Sequence, residues 1–239
     1  MNRILAVVAA TVSLVLAACG GATTQNITRA SQPSAHAKVE VQWDGSGFDR
    51  FATLYREEVA ALLQTLAVRG DDVLTVVLDG QPLTTANVKN TNFAASLYGD
   101  EVEKEEEPEI KQAMAAGLAK TLIARAKEIV PGSGQLQGLE LAANTPGVTE
   151  IYQWTDGVVN EPGDHFSLTD ASENRITAEI KKWQPLLKKL KDKTVVVVGV
   201  GQGVHEVITV ERAHRLFRAL VEGDGGHLVW TPTIGQLEG

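Results

Sequence analysis

The sequence predicts an α/β protein in three layers, with an open and mainly parallel sheet covered by helices on both faces. Three observations predict it. Val73–Leu78 and Val195–Val200 are almost continuous apolar runs rich in β-branched residues, the pattern of strands buried on both sides. Other stretches carry apolar residues every three or four positions, the period of a helix with one buried face. The two patterns alternate. From Val73 the order is strand, helix, strand, helix, strand, helix, strand, which lays parallel strands side by side with the connecting helices packed across them.

Each element follows from its residues. Lys38–Trp43 alternates polar and apolar, with Val39, Val41 and Trp43 on one side, and predicts a short edge strand. Phe51, Tyr55, Val59, Leu62 and Leu66 mark an amphipathic helix that ends near Gly70. Val73–Leu78 is the first buried strand. Asp79–Gly99 is polar, contains Pro82 and predicts a loop. Ile110, Met114, Leu118, Leu122, Ala126 and Ile129 mark a second helix, closed by Pro131-Gly132. Its acids cluster at the start and most of its bases come later, which complements the helix dipole. Gln135–Ala143 predicts a further short helix, and Ile151–Trp154 a strand. Ile176, Ile180, Trp183, Leu187 and Leu190 form another helical stripe, which Pro185 kinks or splits because it lacks a backbone donor. Val195–Val200 is the strongest buried-strand signal and is expected at the centre of the sheet. Val210, Ala213, Phe217 and Leu220 mark a helix ending at Gly223, and Leu228–Trp230 is a last strand.

The N-terminal region has a different grammar. Arg3 precedes an uncharged apolar stretch, Ile4–Ala18, which ends in small residues before Cys19, the one cysteine of the chain. This is the layout of a secretory signal with its cleavage site. At about 15 residues it falls below the ~20 needed to span a bilayer. Leu16-Ala17-Ala18-Cys19 resembles the lipobox of bacterial lipoproteins. That resemblance implies cleavage before Cys19, diacylglycerol and further acyl chains on the new terminus, and attachment to the outer face of the cell membrane. Residues 1–18 are then a signal peptide. Residues 19–37, small and polar without an aromatic, are a flexible tether. Residues 38–239 are a single domain.

The formal net charge is -8, and such a surface repels nucleic acid and anionic headgroups, so neither is an expected partner. The acidic run Asp100–Glu109 is read as a solvated loop and helix start, and the lysines at 181, 182, 188, 189, 191 and 193 as a basic helix face. Catalytic signals are thin. His165, His205, His214 and His227 lack metal-ligand spacing, and no Gly-x-Ser-x-Gly elbow occurs.

In an open parallel sheet, ligands bind at the carboxyl ends of the strands. Asp79-Gly80 follows the first buried strand, Thr155-Asp156-Gly157 follows the second, and Gly199-Val200-Gly201-Gln202-Gly203 follows the third, so two carboxylates are expected at one edge on neighbouring loops. This arrangement resembles the von Willebrand factor type A domain, over about Asp72–Gly235. The family's strand-end Asp-x-Ser-x-Ser, its later threonine and its Asp-Gly hold Mg²⁺ through oxygen and leave room for a partner's carboxylate. The resemblance implies that Asp79, Ser133 and Asp156 are the corresponding metal-site residues. Gln81 and Leu83 replace both serines, which implies a degenerate site.

The resulting expectation is a lipid-anchored envelope protein that binds another envelope or extracellular protein and is not an enzyme. Two alternatives stand beside it: a working Mg²⁺-dependent adhesion domain, and an extracytoplasmic enzyme or a binder of nucleotides or other solutes. The glycines at 199–203 motivate the last, although their spacing differs from the dinucleotide pattern.

Overall fold

Lys38–Asp44 forms the first strand, β1, and it lies at the centre of the sheet rather than at its edge. The computed structural model describes residues 37–45, 49–83, 88–93, 107–125, 132–161, 166–200 and 207–233, all within one compact unit, Gln32–Gly239. Cys19, the signal and tether through residue 36, the acids at 100–106, and Gly201–Gly203 lie outside the described residues.

After β1 come helix α1 (Asp49–Arg69), strand β2 (Asp72–Leu78) and strand β3 (Val88–Asn92). Helices α2 (Glu107–Arg125) and α3 (Gln135–Asn144) precede strand β4 (Val148–Trp154). The two-residue strands β5 (Asn160–Glu161) and β6 (Phe166–Ser167) pair as a small ribbon. Helix α4 (Glu173–Leu187), strand β7 (Thr194–Val198), helix α5 (Val207–Val221) and strand β8 (His227–Thr231) complete the order.

The main sheet runs β3-β2-β1-β4-β7-β8. Every pairing is parallel except β2 with β3. Helices α1 and α2 cover one face, where Val59, Leu63, Leu66, Leu118 and Leu122 pack on Val41, Val77 and Val198. Helices α3, α4 and α5 cover the other, where Leu139, Ile176, Trp183, Phe217 and Leu220 pack on Ile151, Val195 and Val197. This is the predicted three-layer α/β fold.

Three expectations change. Strand β1 is central because its polar side chains, Glu40 and Gln42, are fully buried beneath α3 and bonded there. Alternation therefore marks a polar buried face, not a solvated one. The stretch Asp79–Gly99 is not all loop: Val88–Asn92 forms the antiparallel edge strand, its side chains largely exposed and hence without an apolar signature. Strand β7 is flanked on both sides, by β4 and β8, but it is the fifth of the six; the centre belongs to β1 and β4.

The local signals hold elsewhere. Gly70 ends α1 at φ 78°, and the amides of Gly70 and Asp71 close back on Ala67 and Leu66 at 2.9 and 3.0 Å, a left-handed terminus that glycine adopts without strain. Pro185 lies in the last turn of α4, after which the chain tightens into a 3-10 turn at Lys188–Leu190.

Candidate binding crevice at the carboxyl edge of the sheet

The strand order decides which residues meet at this edge. Asp44, the last residue of β1, pairs in register with Leu78 on β2, and Trp43 pairs with Trp154 on β4. Asp44 therefore lies between Asp79, which follows Leu78, and Thr155-Asp156, which follow Trp154. The two predicted carboxylates do not sit on neighbouring strands. Strand β1 separates β2 from β4, two strand spacings or about 10 Å across, and Asp44 occupies the middle.

Asp44 is the hub of a polar cluster. Its Oδ2 accepts from Gln135 Nε2 at 2.8 Å and from Thr155 Oγ1 at 3.0 Å. Gln135 Nε2 also contacts Thr155 Oγ1 at 2.5 Å and Val158 O at 3.2 Å. Thr155 Oγ1 in turn accepts from the Gly157 amide at 3.0 Å. Gln135 reaches the strand ends because the preceding loop presses onto β2. Gly134 adopts φ 53°, and a Cβ there would stand 2.8 Å from the Asp79 carbonyl oxygen. Gly132 adopts φ 125°, and a Cβ there would stand 2.7 Å from the Gly80 Cα. Only glycine permits both the backbone and the approach.

The three sequence-predicted residues all line this edge. Asp79 Oδ1 accepts from the Gln81 amide at 2.8 Å, and Asp156 Oδ1 from the Val158 amide at 2.8 Å. Each carboxylate thus holds its own turn. Ser133 is fully buried. Its Oγ accepts from the Asn160 amide at 2.8 Å and its own amide donates to Asn160 O at 2.9 Å, which ties the loop before α3 to β5.

Beneath the crevice, the polar cluster continues into the core. Gln42 Nε2 donates to Glu40 Oε1 and to Gly138 O, both at 2.7 Å. Gln153 Nε2 donates to Gln42 Oε1 at 2.8 Å and to Gln135 O at 3.0 Å. Gly138 lets α3 come this close: a Cβ there would meet Gln42 Oε1 at 2.7 Å and Leu78 Cδ2 at 2.8 Å. Glu161 closes the front of α3, accepting from the amides of Leu136 at 2.7 Å and Gln137 at 3.4 Å. A carboxylate suits that position, where helix amides lack partners. Burial pushes both acids up, Glu40 to about 7 against its bond from Gln42, and Glu161 to about 7 against its two backbone bonds.

Thr155 is part of the strand-end triplet read from the sequence, but Asp44, Gln135, Glu40, Gln42, Gln153 and Glu161 were not singled out by sequence reasoning. The signal for Asp44 was present: Asp44-Gly45-Ser46 carries the Asp-x-Ser spacing at a strand end, and reading β1 as an edge strand hid it. The others had no signal, because their partners are distant in sequence. The oxygens of Asp44, Asp79, Asp156 and Thr155 are of the type a hard cation takes. Among the described residues, no group of three or more His, Cys, Asp or Glu is placed to hold a metal ion. His227 begins β8 at the opposite edge, and His214 packs against Trp230 with centroids 3.9 Å apart.

No protein-family model matches the sequence, and no curated protein matches it. Among solved structures, the chain is similar in fold to a point mutant of the PilB minor pilin from Streptococcus sanguinis, with a TM-score of 0.52 at 12% identity. The match covers 83% of this chain and 57% of the pilin, so the chain spans little more than half the pilin's length.

Proposed function

We propose that this chain is a lipid-anchored envelope protein whose von Willebrand factor A-like domain binds another envelope or extracellular protein through the carboxyl-edge crevice. The observation that carries the reading is the convergence of Asp44, Asp79, Thr155 and Asp156 on adjacent strand ends, with Gln135 bridging Asp44 and Thr155 and the loop before α3 pressed onto Asp79 and Gly80 at Gly132 and Gly134. The fold likeness to a minor pilin agrees with a module presented outside the cell. Crosslinking in intact cells tests it. A photoreactive residue at exposed Gln81, beside the crevice, should capture a discrete partner that one at exposed Lys191 does not. Capture of the same species from both positions, or of none, sinks the proposal.

A second reading is favoured by one observation. With β1 central, the family's strand-end pattern falls on Asp44-Gly45-Ser46-Gly47-Phe48 rather than at Asp79. One of the two serines is then kept, as Ser46, and only the second is replaced, by Phe48. Asp44 and Asp156 would hold Mg²⁺, and the ion would draw in a partner's carboxylate. Calorimetry with Mg²⁺ and Mn²⁺ decides: binding that Asp44→Ala abolishes supports this reading, and absence of heat in the unmodified protein removes it.

A further inference from the structure

The opposite edge of the sheet carries a second surface. Strands β1, β4, β7 and β8 are parallel, so their first residues share one edge. The chain preceding Ala37 joins there. The Ala37 amide donates to Asp71 Oδ1 at 3.0 Å, and its carbonyl accepts from the Asp72 amide at 2.9 Å. Lys38 pairs in register with Val148, and the ammonium of Lys193 donates to the carbonyl of that same Val148. Lys193 precedes β7, so the point where the tether joins lies two strand spacings, or about 10 Å, from the start of β7.

The approach to β7 is strongly basic in a protein that is acidic overall. Lys188, Lys189 and Lys191 are exposed along the 3-10 turn and the residue after it, with Asp192 the one acid in the run 188–193. On the last turns of α4, Lys181, Pro185 and Lys188 follow one another at helical spacing, as do Lys182, Leu186 and Lys189. Leu186 is 42% exposed, so the lysines frame an apolar side chain. Lysines around an outward leucine make a surface suited to the boundary of an anionic bilayer. An acidic protein would satisfy the charge but would leave Leu186 and the position beside the tether without a role.

We propose that this lysine edge docks on anionic lipid headgroups, so that the domain stands on the membrane with its binding crevice pointing away. The inference rests on the anchor proposed at Cys19, which would supply the proximity, while the lysines supply the orientation. An anchor of several acyl chains holds the protein by itself, so the polybasic patch adds orientation rather than retention.

The experiment uses the full chain, purified from membranes and reconstituted in vesicles. One set holds phosphatidylcholine alone and the other phosphatidylcholine with phosphatidylglycerol. Lysines are acylated from the outside and the rates read by mass spectrometry. In the anionic vesicles, labelling of Lys181, Lys188, Lys189 and Lys191 should fall about fivefold, the population shift that corresponds to the attraction of about 1 kcal/mol per lysine near an anionic surface. Lys89 and Lys120, exposed on β3 and α2, should label equally in both and serve as internal references. High salt should remove the protection. Equal rates at the four lysines in both vesicles overturn the proposal. So does protection in phosphatidylcholine on adding inorganic phosphate, which would indicate an ion site instead of a lipid surface. Flotation with the neutral vesicles reads the anchor separately, so failure of the anchor and failure of the lysine edge are distinguishable.

Discussion

Glu40 is the residue on which the reading of β1 turns. A glutamate flanked by valines in a strand is ordinarily solvent-facing, yet here it is fully buried and its Oε2 has no hydrogen-bond partner among the described residues. Such a group costs less when protonated, because burial penalises the charge. Its folded value of about 7 lies above the ordinary 4.5. The stability it contributes is therefore complete below about pH 4.5 and is lost as pH rises through 7. Glu161 shifts in the same direction. Thermal unfolding should show the melting temperature falling between pH 5 and pH 8. Glu40→Gln, which carries no charge, should flatten that decline and stabilise the protein at pH 8 by on the order of 2–3 kcal/mol. An unchanged slope in the variant would show that Glu40 is not the titrating group.

At the scale of elements, α3 organises the crevice. It is short, it starts from the left-handed Gly134 without a side-chain cap, and Glu161 from β5 supplies its N-terminal acceptor instead. That substitution ties the helix to a ribbon far along the chain. Glu161→Ala should cost about 1–2 kcal/mol, the usual worth of a helix cap. Hydrogen exchange should quicken first at the amides of Leu136 and Gln137. Unaltered exchange there would mean that Gln135 and Ser133 alone hold the helix. The helix was legible from its apolar positions, Leu136 and Leu139, but its cap was not, because no short-range pattern links Leu136 to Glu161. Pro185 was legible at this scale only in part: its missing donor predicted a kink or split, and α4 instead runs through it to Leu187 before tightening into the 3-10 turn.

For the whole molecule, the two edges of the sheet differ in the charges they carry. The parallel sheet has a crevice edge bearing Asp44, Asp79 and Asp156, and an opposite edge bearing Lys38 and the lysines before β7. Residues 19–37 join at the second. If Cys19 carries the anchor, Cys19→Ser should leave an unprocessed precursor or release the chain from the membrane fraction, as read by fractionation and intact mass. A variant that is still membrane-bound and normally processed would refute the lipoprotein reading.

The sequence by itself determined the class of fold, because apolar runs at Val73–Leu78 and Val195–Val198 and helical stripes such as Ile176–Leu187 are local and depend on period alone. It also placed Asp79 and Asp156 at one edge, since residues that follow parallel strands emerge on the same side, whereas Ser133, in the loop before α3, was named by the family resemblance alone. Only the tertiary structure decided strand order. Whether Glu40 and Gln42 face water or α3 depends on Gln153, Gln135 and Gly138, all at least 90 residues away, and on glycines that let the backbones approach. With that decision, β1 moved from the edge to the centre, and Asp44 took the middle of the crevice.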